Sequence, residues 1–254
     1  MKFKFNLRRE LKILAAIIVV GVIIAFTEKK QGRVSIKDIS IRIDNVHGNH
    51  FLDESDIMNL MELKNEKLKG TSIDRFSLKG IESKIKRQPF IKKADLYSDL
   101  KGNLVVRAEL RRPVARIVRN DGPDGYIAED GTIMPVSEKF TSRVVLVSGP
   151  YVSQILKHDN MNDSEETKKI MVLIDKIREH EFWHAQIAQL DIDNKSRITF
   201  FPQVGDEKIE FGKPVDLDVK FKKLMIFYKE ILPRIGWNKY NRINLEYEGQ
   251  IITE

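Results

Sequence analysis

An uninterrupted apolar run near the N-terminus constrains this chain more than any other feature of its sequence. Residues 13–26 contain no charged or strongly polar side chain. A full membrane span takes about 20 residues, so this short run also fits the core of a signal peptide. Cleavage of a signal peptide needs small residues in an Ala-x-Ala arrangement, which Ala25-Phe26-Thr27 matches poorly. The sequence therefore predicts a retained transmembrane helix over residues 13–27.

Basic residues around this run account for nearly all of the net charge. Residues 1–33 carry two carboxylates and eight cations, namely Lys2, Lys4, Arg8, Arg9, Lys12, Lys29, Lys30 and Arg33. This segment is therefore +6 in a chain of +7, which leaves +1 for residues 34–254. A near-neutral body lacks the basic field that nucleic-acid binding requires. Five cations precede the run, so we expect a cytoplasmic tail at 1–12 and residues 28–254 on the far side of the inner membrane.

The chain has no cysteine, which excludes disulfides, thiolate zinc sites and cysteine nucleophiles. The absence of cysteine does not identify the cellular compartment, because an oxidising compartment permits disulfides without requiring them. The sequence also contains neither a glycine-rich phosphate loop nor a nucleophile elbow. We therefore expect no cofactor and no small-molecule substrate.

Residues 34–111 show the pattern of a small α+β domain. Apolar and polar residues alternate in Ser35–Val46, which predicts a half-buried strand. A helix is expected to begin at Asp53, and a second helix should stop before Pro89. Two strands follow at Ile91–Tyr97 and Asn103–Leu110. The predicted order is strand, helix, helix, strand, strand.

Residues 112–254 predict a second, mostly antiparallel β domain with two helices. One helix is expected to open at Asp163 with Glu166, and the other to end at Pro233. Arg242–Tyr247 and Gln250–Thr253 should form a terminal hairpin. The remaining strand candidates are Val114–Arg119, Gly125–Ala128, Thr132–Met134, Arg143–Val147, Ile187–Ile192, Arg197–Phe201 and Lys208–Phe211.

The exported part resembles the FtsQ/DivIB family of bitopic cell-division proteins, which have a POTRA domain followed by a β domain. The junction Glu109–Ala115 is similar to the family's crossing between these domains. The other matching segments are Val46–Asn49, Gln88–Ala94, Gly102–Val106, Tyr126–Gly131, Val145–Pro150 and Ile243–Tyr247. Two parts depart from the family pattern, because Tyr151–Asn162 matches nothing in it and the predicted cytoplasmic tail is very short.

This resemblance implies a divisome scaffold at the division septum that binds other proteins and is not an enzyme. It implies that the last β strands dock the FtsB and FtsL pair, and that the POTRA region meets other division proteins such as FtsK. A strand at a sheet edge can accept an added strand from a partner. The candidate partner-binding residues are Ile243, Leu245, Glu246, Tyr247, Gly249 and Ile251. Tyr247 corresponds to the family's partner-contacting aromatic, although it could equally pack on the sheet.

One motif supports an alternative function, a membrane-anchored zinc metalloprotease. His180-Glu181-Phe182-Trp183-His184 is a literal H-E-x-x-H, in which two histidines one helical turn apart hold zinc. The extended form of the motif fails, because Ile187 and Leu190 occupy its glycine and third histidine positions. Glu207 and Glu210 are possible third ligands, but both fall in predicted strand or turn. The helix is also expected to end near Phe182, which would separate the two histidines.

Overall fold

A computed structural model describes residues 12–23, 35–44, 48–61, 70, 72–73, 76–237 and 239–254. The chain divides into two compact units. The first comprises Met1–Asp44 and Leu52–Glu109, and the second comprises Asn45–Phe51 and Leu110–Glu254.

The described part of the apolar N-terminal run is helical. Residues 12–23 form a helix with exposed side chains. Within the described residues, no helix has both the length and the apolar character needed to cross a bilayer. The rest of the expected transmembrane segment, at 24–27, and the expected tail up to residue 11 lie outside the described residues.

The first unit has the expected order of elements. These are β1 (Ile39–Asp44), α1 (Glu54–Leu60), α2 (Leu78–Lys86), β2 (Ile91–Ser98) and β3 (Leu104–Leu110). The N-terminus of α1 is a capping box, in which Asp53 and Asp56 each accept a hydrogen bond from the other's backbone N–H, at 3.0 and 2.8 Å. The predicted start of this helix is therefore confirmed.

Strand β3 is the central strand of a three-stranded sheet in the order β1-β3-β2. It runs parallel to β1, with Ile39 opposite Leu104. Successive side chains of a strand point to opposite faces, so the burial of Leu104, Val105 and Val106 shows that both faces of β3 are covered.

The second unit is built on a nine-stranded sheet in the order β12-β11-β10-β9-β8-β7-β4-β5-β6. The strands are β4 (Pro113–Ile117), β5 (Gly125–Ala128), β6 (Ile133–Pro135), β7 (Val145–Ser148), β8 (Ile187–Ile192), β9 (Ile198–Pro202), β10 (Lys208–Gly212), β11 (Arg242–Asn244) and β12 (Ile252–Thr253). Most neighbouring pairs are antiparallel, but β4 and β7, β7 and β8, and β10 and β11 are parallel. The sheet is therefore mixed and mostly antiparallel, as expected.

The helices of this unit are more broken than the two that the sequence predicts. They are α3 (Val152–Ile155), a 3₁₀ turn (Met161–Asp163), α4 (Glu165–Glu179), α5 (Glu181–Gln186), α6 (Leu217–Ile226), a π-helical turn (Phe227–Ile231) and α7 (Leu232–Ile235). The cap of α4 is Ser164, whose hydroxyl accepts from the Thr167 N–H at 3.1 Å, rather than the expected Asp163. The last helix continues past Pro233, which lies in the first turn of α7, where a missing N–H is tolerated.

From β7 to β11, alternation along the strands places a row of apolar side chains on one face of the sheet and a row of polar side chains on the other. Val147, Leu190, Phe200, Ile209 and Ile243 are successive cross-strand neighbours, and all five are fully buried in the same core as the helices. The adjacent row on the other face is Ser148, Asp191, Thr199, Glu210, Asn244 and Ile252. This polar row therefore runs as far as Asn244 of β11 and ends beside Ile252 of β12.

Candidate partner-binding edge

Strand β12 is the outermost strand on its side of the sheet, among the residues that the structure describes. It pairs antiparallel with β11, with Ile243 opposite Thr253 and Asn244 opposite Ile252. Strand β11 lies between β10 and β12 and is not itself an edge. The edge is short, because β12 has only two residues.

The register of β12 determines which of its backbone groups face away from the sheet. Arg242 and Glu254 exchange two backbone hydrogen bonds, at 3.2 and 3.0 Å. Hydrogen-bonded and non-hydrogen-bonded pairs alternate in an antiparallel ladder, so Thr253 opposite Ile243 is a non-hydrogen-bonded position. The N–H and C=O of Thr253 therefore point away from β11, toward the open side of the sheet.

The six residues expected to bind a partner lie in different environments. Ile243 and Leu245 are fully buried, and Ile251 packs against the same core. Glu246 and Gly249 are exposed, and the Tyr247 side chain is 52% exposed. The expected strand Arg242–Tyr247 is wrong in its length, because β11 ends at Asn244. Tyr247 therefore does not lie on the same strand face as Ile243 and Leu245. Tyr247, Glu246 and Gly249 remain accessible, whereas Ile243 and Leu245 support the edge from the core.

An ion-pair network that sequence reasoning missed crosses the polar face beside β12. The Arg242 guanidinium donates to both carboxylate oxygens of Glu210, at 2.7 and 2.9 Å, and to Glu254 at 2.8 Å. The Asn244 amide also donates to Glu210, at 2.6 Å. The hydrogen bonds from Arg242 hold the pKa of Glu210 below its ordinary value. The only signal of this network in the sequence is the two-residue spacing of Arg242 and Asn244, which places both side chains on one face of a strand.

A small cavity of about 150 Å³ opens at this edge, lined by Arg242, Asn244, Tyr247, Ile252 and Glu254. Tyr247 and Ile252 give it an apolar wall, and the ion-pair network gives it a polar wall. Ile252 is 37% exposed. The cavity thus combines aromatic and aliphatic surface with polar groups immediately next to outward-facing backbone.

The H-E-x-x-H motif does not bring its histidines together. Helix α4 ends at Glu179, and His180 has extended backbone angles before α5 starts at Glu181. His180 lines a cavity of about 460 Å³ beside Trp183, whereas His184 lines a different cavity, of about 660 Å³, beside Arg178. In the described part of the chain, no three or more His, Cys, Asp or Glu side chains are grouped to hold a metal ion. The break falls slightly earlier than the expected helix end near Phe182.

The possible third ligands of that motif are also engaged elsewhere. Glu207 is buried and accepts a hydrogen bond from the Tyr228 hydroxyl at 2.7 Å. Glu210 belongs to the network beside β12. The geometry therefore gives no support to zinc proteolysis.

Two protein families match the chain. The family described as FtsQ/DivIB, C-terminal related, matches residues 112–254. The POTRA-like domain family matches residues 35–109. A comparison with curated proteins found no match.

Proposed function

The chain belongs to the FtsQ/DivIB, C-terminal related family, and from this we propose that it is a divisome scaffold that docks the FtsB and FtsL pair through Ile243–Thr253. The two family matches support a cell-division scaffold role, and the family is a non-enzymatic one. The specific partners and the link between early and late division proteins are part of the proposal.

One observation carries the docking proposal, namely the outward-facing backbone of Thr253 on the outermost described strand. An N–H and a C=O in this orientation can pair with a strand from another chain. The half-exposed Tyr247 and the small cavity beside it would receive side chains of that added strand. Backbone pairing would then supply affinity, and the cavity would supply specificity.

Substitution of Thr253 tests this proposal directly. Proline lacks an N–H and is tolerated where that group faces away from the ladder, so Thr253→Pro should leave the β11–β12 pairing intact. It should weaken recovery of FtsB and FtsL by about tenfold, a loss of about 1.4 kcal/mol. Thr253→Ala removes the side chain but keeps the N–H, and it should bind like wild type. Equal recovery of both partners by the two variants would contradict docking by strand addition.

The proposed membrane anchor and the proposed contacts of the POTRA-like unit rest on the family match rather than on the geometry of β12. The family is membrane-anchored. We expect residues 13–27 to hold the chain in the inner membrane, with residues 28–254 in the periplasm, at the division septum. The POTRA-like unit would meet further division proteins such as FtsK. Extraction of the full chain from membranes by alkaline carbonate would contradict the anchor. For the POTRA contact, residues 35–109 are exchanged for an unrelated domain, and unchanged cross-linking to FtsK would contradict it.

A further inference from the structure

The segment between β11 and β12 accepts hydrogen bonds from one lysine of a neighbouring helix. Lys223 of α6 donates from its ammonium to three backbone carbonyls, those of Leu245 at 2.9 Å, Tyr247 at 2.7 Å and Gln250 at 3.3 Å. A lysine ammonium has three N–H donors. All three are therefore directed at this one turn.

These three carbonyls span the whole connection to the edge strand. Leu245 follows β11 by one residue, and Gln250 precedes β12 by two. Tyr247 lies between them, so the same ammonium also holds the backbone of the exposed aromatic residue. A single atom, Lys223 Nζ, thus contacts the turn at its start, at Tyr247 and shortly before β12.

Lys223 lies on a helix that packs into the core. Its neighbours Phe221 and Leu224 on α6 are buried in the core of the second unit. The edge strand itself has weak support, because β12 contributes only two residues to the sheet. A short strand of this kind depends on contacts outside its own ladder.

We propose that Lys223 is the positioning residue of the partner-binding edge, which fixes the turn at residues 245–250 so that Tyr247 and the outward backbone of Thr253 are presented together. This inference rests on the proposed docking function and names the residue on which its geometry depends. Without the ammonium, three carbonyls lose a charged donor, and the turn is free to move relative to α6. Binding then has to order the edge as well as pair with it, which lowers affinity.

The neighbouring lysines supply matched controls. Lys222 is exposed on the same helix, and the structure describes no hydrogen bond from its side chain. Lys222→Met therefore makes the same change of charge and side chain without touching the turn. Lys220 is buried and donates to the carbonyls of Phe211 and Lys213, both at 2.8 Å, so Lys220→Met shows what losing a lysine inside the core does to stability.

The experiment compares full-length wild type, Lys223→Met, Lys222→Met and Lys220→Met in detergent. Amide hydrogen exchange over residues 245–254 is measured in the free protein, and affinity for the purified FtsB and FtsL pair is measured by titration. We expect the hydrogen-bonded amides of this segment, those of Leu245, Glu246 and Glu254, to exchange at least tenfold faster in Lys223→Met. The variant should also bind about tenfold more weakly, with a melting temperature close to that of Lys222→Met. Lys220→Met should instead lower the melting temperature.

The outcomes separate this inference from the function on which it rests. Wild-type exchange and affinity in Lys223→Met would overturn the positioning role. A fall in melting temperature as large as that of Lys220→Met, with exchange raised throughout the second unit, would also overturn it, because Lys223 would then be a general structural residue. If wild type itself bound no FtsB or FtsL, the docking function would fail, and the exchange comparison would still decide whether Lys223 holds the edge.

Discussion

Tyr247 and Leu245 are two residues apart, but their side chains lie in different environments. Leu245 is fully buried in the core under the sheet, while more than half of the Tyr247 side chain reaches solvent beside Ile252. The difference arises because Asn244 Oδ1 accepts the Glu246 N–H at 2.8 Å, which turns the chain out of the strand. A two-residue alternation would have placed both side chains on one face, so the sequence alone could not separate them.

Truncation of these two residues should therefore affect different properties. Tyr247→Ala should weaken binding of FtsB by about 2 kcal/mol or more, because exposed aromatics at interfaces are frequent hot spots. Its melting temperature should stay near that of wild type. Leu245→Ala leaves a cavity in the core and should cost about 2–5 kcal/mol of unfolding free energy. Titration with FtsB and chemical denaturation measure the two effects, and wild-type recovery of FtsB by a folded Tyr247→Ala protein would contradict the role of Tyr247.

At the scale of elements, the edge joins a very short strand to a polar network. Arg242, Glu210 and Glu254 tie β10, β11 and the end of β12 together across the open face. Close approach of the Glu246 side chain to Gly212 of β10 adds a second contact. Gly212 has a φ of +75°, and a Cβ placed there would lie 2.5 Å from Glu246 Cγ. The sequence shows a glycine at this position but gives no sign that the Glu246 side chain lies against it.

The Glu210 network predicts a specific acid sensitivity. Hydrogen bonds from Arg242 lower the pKa of Glu210 from its ordinary value of 4.5, so the folded state favours the carboxylate. Its contribution to stability is fully present above about pH 4.5 and is lost as the pH falls through the lowered folded-state pKa. Glu210→Gln lacks this contribution at neutral pH. The difference in unfolding free energy between wild type and Glu210→Gln should therefore shrink as the pH is lowered, and a constant difference would contradict the network's role.

The broken helices show where local patterns stop being sufficient. Apolar spacing correctly predicted helical structure over Ile170–Ile177 and Leu217–Ile231. The sequence placed the end of the first helix near Phe182, whereas the break is at His180, and it did not reveal the π-helical turn before Leu232. Both breaks occur where the helix must fit the core, since Trp183 is buried just after the first and Phe227 and Tyr228 lie in the second. Such adjustments depend on packing partners that are distant in sequence.

At the scale of the whole molecule, the sequence specifies the order of elements better than the pairing of strands, and even in the smaller sheet β1 and β3 are parallel neighbours. The order of elements in the POTRA-like unit follows from consecutive periodic segments, each with its own cap or turn. In the larger sheet, β7 pairs in parallel with both β4 and β8, and β10 pairs in parallel with β11. Parallel neighbours need long connections, so no local turn signal specifies them. The place of β11 inside the sheet, with β12 outside it, follows from these long-range pairings.

The central claim is that the partner adds a strand to β12, and amide hydrogen exchange at Thr253 tests it most directly. In free full-length protein the Thr253 N–H points away from β11 and should exchange rapidly. Addition of the FtsB and FtsL pair should slow its exchange by at least tenfold, because the amide becomes bonded to the added strand. Tight binding of the pair with unchanged exchange at Thr253 would contradict the account.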